Sequence, residues 1–251
     1  MRLSVLGGCG AWPTKVQACS GYLLESAGFT LLIDPGYATL PHLFDVVEPS
    51  RLDAVLVSHG HPDHCADLNP LLRCRALGDD TVAALPTYSL PGALDPVLAL
   101  DRRGMLDDAI DLHEFGTGTR LTIGPFEVDT WSLPHSVPNA GLRITADDRV
   151  LAYTGDSGPT DDLIELAREA DLFLAEASYA SQVPTDAARY LSSAVDVGAS
   201  AHRAGVARLM LTHLLPGTDA DAATECAGRG YSGDILIARP GTVVELGPRQ
   251  R

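Results

Sequence analysis

The segment Ser58-His59-Gly60-His61-Pro62-Asp63-His64 constrains this chain more than any other. Three histidines and an aspartate fall within six positions, directly behind the unbroken apolar run at residues 54–57. Such a run reads as a strand covered on both faces. Imidazole nitrogens and carboxylate oxygens suit zinc and its first-row neighbours. On a loop leaving a strand, alternate side chains can converge on a point. His59 and His61 can therefore share one metal while Asp63 and His64 reach a second.

The frame around that loop follows from length and composition. A chain of 251 residues buries a sizeable core without disulfides or a structural metal, and it reads as one domain over 1–251. Hydrophobic residues are 45% and charged residues 20%, the balance of a soluble globular protein. No apolar run approaches the roughly 20 residues of a membrane span, and the N-terminal apolar stretch is too short for a signal peptide. The five cysteines are scattered, with no Cys-x-x-Cys, which fits free thiols in a cytoplasmic compartment. Thirty-three acids against 18 bases give a net charge of −15, and there is no Lys/Arg run. That balance works against a nucleic-acid partner. It leaves room for a homodimer.

Short apolar runs bounded by turn residues predict strands at 2–6, 21–25, 30–33, 54–57, 81–85, 126–133, 142–145, 150–153, 172–175, 208–212 and 235–238. Helices are expected at 67–75, 91–100, 161–169 and 192–204. The last has a cap-like Ser193-x-x-Asp196 start and Gly205 as terminator. Antiparallel runs mixed with strand–helix–strand units predict an α/β domain of sheets covered by helices. Three further ligand-type residues stand at the tips of apolar runs: His135, Asp156 and His213.

His-x-His-x-Asp-His after an apolar strand resembles the signature of the metallo-β-lactamase superfamily. The resemblance implies a four-layer αββα sandwich with a two-metal site at one sheet edge. Position by position, it assigns His59, His61 and His135 to the first metal. Asp63, His64 and His213 go to the second, and Asp156 bridges. Asp34, in Leu31-Leu32-Ile33-Asp34-Pro35-Gly36, matches the superfamily's first motif and is expected to support the ligand loops. The implied cofactors are two divalent ions, zinc before manganese or iron.

Five stretches are similar to the phosphodiesterase branch, which includes ribonuclease Z and small cyclic-nucleotide phosphodiesterases: Leu6-Gly7-Gly8-Cys9-Gly10 with Ser20-Gly21-Tyr22-Leu23-Leu24, the spacing from His64 to His135, Tyr153-Thr154-Gly155-Asp156-Ser157, Leu174-Ala175-Glu176-Ala177-Ser178-Tyr179, and residues 204–213. The branch commonly carries a phosphate-contacting histidine where this chain has Tyr190, in Tyr190-Leu191-Ser192. The likeness therefore assigns catalytic places to Asp63, to Tyr190 in the histidine's stead, and to Glu176 as the residue orienting it. No segment matches the tRNA-binding arm of ribonuclease Z. The implied activity is hydrolysis of a small phosphodiester, such as a cyclic nucleotide, by a hydroxide between the metals. An ester, thioester or lactone hydrolase, an RNA-processing enzyme and a non-hydrolytic metal protein remain open.

Overall fold

The structure is a computed structural model describing residues 1–78 and 82–247. Its strands form two seven-stranded sheets among the described residues. The first sheet holds β1 (Arg2–Gly7), β2 (Gly21–Ser26), β3 (Phe29–Ile33), β4 (Ala54–Leu56), β5 (Leu85–Ser89), β6 (Ile110–Glu114) and β14 (Val243–Glu245), in the order β14-β1-β2-β3-β4-β5-β6. The second holds β7 (Arg120–Ile123), β8 (Phe126–Leu133), β9 (Asn139–Ala146), β10 (Arg149–Tyr153), β11 (Leu172–Glu176), β12 (Arg208–Thr212) and β13 (Asp234–Ile237), in the order β13-β12-β11-β10-β9-β8-β7. Each sheet is antiparallel over one part and parallel over the other. Pairing turns parallel from β3 through β6 in the first sheet and from β10 through β13 in the second.

The helices are α1 (Thr39–Phe44), α2 (Pro62–Cys65), α3 (Leu68–Leu77), α4 (Asp95–Leu98), α5 (Asp162–Ala167), α6 (Ala194–Ala204) and α7 (Ala220–Gly228). Strand alternation sorts the apolar side chains into three layers of core. Tyr22, Leu24, Leu31, Ile33, Leu142, Leu151, Tyr153 and Leu174 pack between the sheets. The residues one position out of phase, such as Leu23, Leu32, Val55 and Val57, pack with Leu68, Leu71 and Leu72 of α3. Phe173, Ala175, Leu209 and Leu211 do the same with Leu163, Leu166, Val197 and Ala201 of α5 and α6. Strands buried on both faces lose the polar/apolar alternation, which is why β2, β4 and β11 read as continuous apolar runs. The expected αββα sandwich is the observed architecture.

The differences fall in one region and at the edges. The strand expected at 81–85 lies at Leu85–Ser89, and Thr81 is outside the described residues. Val82 and its β-branched neighbour drew the reading forward, while the real strand carries Pro86 and alternates only weakly. The helix expected at 91–100 shrinks to α4, because Gly92 takes a left-handed turn (φ 70°) before it. β6, β7 and β14 carry no apolar run, since they lie at the sheet edges and expose most of their residues. α1 contains Pro41 and α7 is built mainly of small residues, so neither shows a strong apolar stripe.

Candidate metal centre

β8, β10, β11 and β12 run in the same direction, and their carboxyl ends meet the ends of β3 and β4 across the seam between the sheets. His135 follows β8, Asp156 follows β10, His213 follows β12, Asp34 follows β3, and the His59–His64 loop follows β4. Ligand sites in α/β folds gather at such carboxyl ends, where loops leave the sheet with their side chains free to converge. Pro62 opens α2 at a position where its missing N–H costs nothing, and the short helix carries Asp63 and His64 inward.

Among the described residues, two four-residue groups of ligand-type atoms result: His59, His61, His135 and Asp156 in one, and Asp63, His64, Asp156 and His213 in the other; a smaller third group, Asp34, His59 and His64, lies behind them. Asp156 belongs to both four-residue groups. In the first group, His61 Nδ1 lies 3.2 Å from His59 Nε2 and 3.0 Å from His135 Nε2. Asp156 Oδ2 lies 3.8 Å from each of those two Nε2 atoms. In the second, Asp156 Oδ1 is 3.2 Å from His64 Nε2, and Asp156 Oδ2 is 3.2 Å from His213 Nε2. Asp63 Oδ2 is 3.1 Å from His213 Nε2 and 3.9 Å from His64 Nε2. A tetrahedral zinc with bonds of ~2.0–2.1 Å separates its ligand atoms by roughly 3.3 Å. Both groups bracket that spacing. His64 Nε2 and Asp156 Oδ1 are buried, close to each other, and without a hydrogen-bond partner. Two such atoms facing one space fit a shared cation. The donor set of imidazoles and carboxylates fits divalent ions.

Hydrogen bonds behind the ligands fix which nitrogen faces the centre. His64 Nδ1–H donates to Asp34 Oδ2 at 2.8 Å, and His135 Nδ1–H to the Tyr190 carbonyl at 3.0 Å. The Ser58 hydroxyl donates to Asp34 Oδ2 at 2.6 Å, so it accepts from His59 Nδ1–H at 3.0 Å. His213 Nδ1 bonds Ser178 Oγ at 3.0 Å. These four rings therefore present Nε2 to the centre, whereas His61 presents Nδ1. Asp34 also accepts the Ser58 amide at 2.7 Å and the Tyr153 hydroxyl at 2.7 Å. Its expected supporting place is thus the one it occupies. Asp34 and His213 both hold left-handed backbone (φ 48° and 59°), which is rare outside glycine and clusters at functional sites.

Burial opposes ionisation throughout the centre, and mutual charge decides the outcome. Burial would raise the Asp156 and Asp63 carboxyls, yet neighbouring His213 and His64 hold both well below the usual range. Burial would lower His64 and His213, yet Asp156 first, with Asp34 and Asp63, pushes them up. Burial and the other imidazoles hold His59 and His61 down. The pocket keeps its carboxylates anionic and thereby favours a cation.

Tyr190 and Glu176 both make backbone-mediated contacts beside the centre. Tyr190 meets the centre through its backbone carbonyl on His135, while its ring lies under the Arg189 guanidinium, 5.6 Å away. Glu176 is 1% exposed and accepts backbone N–H groups of Ser178 at 2.9 Å, Ser192 at 2.9 Å and Ser157 at 3.4 Å. Those amides adjoin the segments that hold His213, His135 and Asp156. The carboxylate ties the ligand loops together; burial, then Asp156, pushes it up to about 7. Asn139 was missed from the sequence. Buried at the start of β9, it donates Nδ2–H to the carbonyls of Thr154 at 2.9 Å and Asp156 at 2.7 Å. Gly155 sits between them with φ 56°, and a Cβ there would come within 2.3 Å of Asn139 Oδ1. Gly10 is required on the other side, where a Cβ would strike the His213 ring at 2.7 Å.

Comparison with known proteins agrees with this geometry. The beta-lactamase superfamily domain model matches residues 30–214. The probable metallo-hydrolase YhfI of Bacillus subtilis is 31% identical over 252 residues, covering 98% of this chain and 100% of the relative. The chain belongs to the metallo-β-lactamase superfamily. The crystal structure of YhfI superposes with a TM-score of 0.88 at 32% identity, over 97% of this chain and 99% of that one. A ribonuclease Z of Mycobacterium bovis is 28% identical over 284 residues, covering 100% of both chains. Human tRNase Z, short form, shares the superfamily fold with a TM-score of 0.78 at 21% identity, over 99% and 100% of the two chains. As a superfamily member with a His/Asp cluster of this kind, the chain is a metallo-hydrolase whose centre implies divalent metal ions. Among the described residues, no helix is long and apolar enough to cross a membrane.

Proposed function

We propose that this metallo-hydrolase is a dinuclear phosphodiesterase acting on a small phosphodiester, with a cyclic nucleotide as the model substrate. The observation that carries the reading is the pair of four-ligand groups sharing Asp156. His59, His61 and His135 would hold one ion, and Asp63, His64 and His213 the other, with zinc the best match to the donor set. Bound there, two divalent ions supply Lewis acidity toward both oxygens of an in-line displacement and activate water. The chain's own residues do the positioning. Asp63, anchored by the Ala11 amide at 2.7 Å, presents a fixed carboxylate edge that can orient water and accept its proton. Ser58, Asp34 and the Tyr190 carbonyl hold three imidazole rings in their reacting tautomer. Glu176 and Asn139 hold the loops on which those rings stand.

The likeness to ribonuclease Z supports phosphodiester chemistry, and the net charge of −15 favours a substrate with few phosphates over RNA. Free thiols at all five cysteines fit a reducing, cytoplasmic compartment. A parallel assay at low salt decides: 3′,5′-cyclic AMP and bis-p-nitrophenyl phosphate against precursor tRNA, a thioester and a lactone. Turnover of the first two is expected. Trailer cleavage of tRNA, or thioester or lactone hydrolysis, without turnover of the two small phosphodiesters would overturn the reading.

A further inference from the structure

Beside the metal centre lies a cleft of about 540 Å³, within the range of small-molecule sites. It lies between the loop after β1, the segment after His213 and the loop after β13. Val16, Leu214 and Ile237 contribute apolar walls, and Thr14 contributes a hydroxyl. Its charge is unusual for this molecule. The chain carries 33 acids, yet no Asp or Glu is among the described residues lining the cleft, and the one charged residue there is Arg239. Arg239 is exposed and makes no ion pair among the described residues. Lys15, the chain's sole lysine, is also exposed, and its two neighbours, Thr14 and Val16, line the cleft.

The cleft shares a wall with the second ligand group. Cys9 pairs with Leu214, the residue after His213, and the Gly10 amide donates to the Leu214 carbonyl at 3.1 Å. The next residue, Ala11, donates to Asp63. One loop thus contacts the second group at Ala11 and lines the cleft at Thr14 and Val16.

We propose that this cleft binds a nucleoside phosphate, the base lying against Val16, Leu214 and Ile237 and the phosphate on Arg239. An apolar slot suits a flat base, and an arginine free of carboxylates suits a phosphate oxygen. The proposal extends the phosphodiesterase reading. The ligand can come from two sources: the 5′-phosphorylated nucleotide of a pNpN dinucleotide substrate, whose terminal phosphate meets Arg239 while the scissile phosphate lies at the metal centre, or a free nucleotide modulating the site.

Isothermal titration of AMP and adenosine into the zinc-loaded full chain tests the chemistry, with Arg239→Ala and Val16→Asp as variants. AMP affinity at the cleft is expected to fall about tenfold in R239A, the loss of one charge-assisted hydrogen bond, and further in V16D. Adenosine should bind more weakly and ignore R239A. Kinetics separate the sources. A substrate role raises KM for the 5′-phosphorylated dinucleotide pApA in R239A while bis-p-nitrophenyl phosphate turnover is unchanged. A modulating role appears as AMP altering bis-p-nitrophenyl phosphate turnover in wild type but not in R239A. Equal AMP affinity in wild type and both variants overturns the proposal. Absence of any phosphodiester turnover overturns the phosphodiesterase reading alone, because the titration still reads the cleft.

Discussion

Asp63 touches three things at once: the Ala11 amide, His213 and the space shared with His64. None of these contacts belongs to the apolar core, so Asp63→Asn should keep the native circular dichroism spectrum while losing turnover. Residues one shell behind a metal are worth roughly 10–100-fold, so a residue facing the metals should cost more than about 100-fold in kcat. A loss of under threefold would remove Asp63 from its place. Asn139 makes a different prediction. Its amide satisfies two buried carbonyls flanking Gly155, and Asn139→Ala leaves both unpaired. Stability in urea should drop by about 2–4 kcal/mol, and zinc content should fall for both ions together, because the backbone of the shared Asp156 loses its anchor. Loss of stability with full zinc content would make Asn139 a folding residue only.

Helix α6 shows how a local sequence signal translates into energy. Ser193 accepts from the Asp196 amide while the Asp196 carboxylate accepts from the Ser193 amide at 3.0 Å, and Gly205 ends the helix in left-handed conformation. Ser193→Ala should cost about 1 kcal/mol, read as a lower urea midpoint, with turnover per bound zinc unchanged. This cap was legible because capping depends on residue type at fixed spacing. The candidate ligands were legible in a different way: His59, His61, Asp63 and His64 cluster in one loop behind an apolar run, His135, Asp156 and His213 stand near the tips of others, and the resemblance to the superfamily joined the seven into one set. What could not be read are features that depend on tertiary placement. A lone Asn139 after Pro138 reads as a turn, and only the approach of β10 gives its amide two carbonyls. Tyr190 contributes a carbonyl, which every residue has. The edge strands β6 and β7 lack the burial that writes apolar periodicity into a sequence.

At the scale of the whole molecule, the centre sits on the seam between two sheets joined by apolar packing and by hydrogen bonds such as Tyr22–Thr212 and Tyr153–Asp34. Metal ions that bind only the assembled seam must stabilise it by mass action. Raising free zinc from trace to about a hundredfold above its dissociation constant should raise the melting midpoint by roughly 5–10 °C for each ion bound, and chelator should reverse the shift. An unchanged midpoint would mean that the seam does not hold zinc. The order of the ligands along the chain also matters during synthesis. His59 to His64 are made before the other ligands, Asp156 follows much later, and the second group is incomplete until His213 has been made. A nascent chain therefore displays at first only an open loop of imidazoles, a donor set that suits copper and nickel as well as zinc. The full cage closes only once residue 213 has been made, so the metal that stays is chosen by the folded centre and not by the first ion encountered.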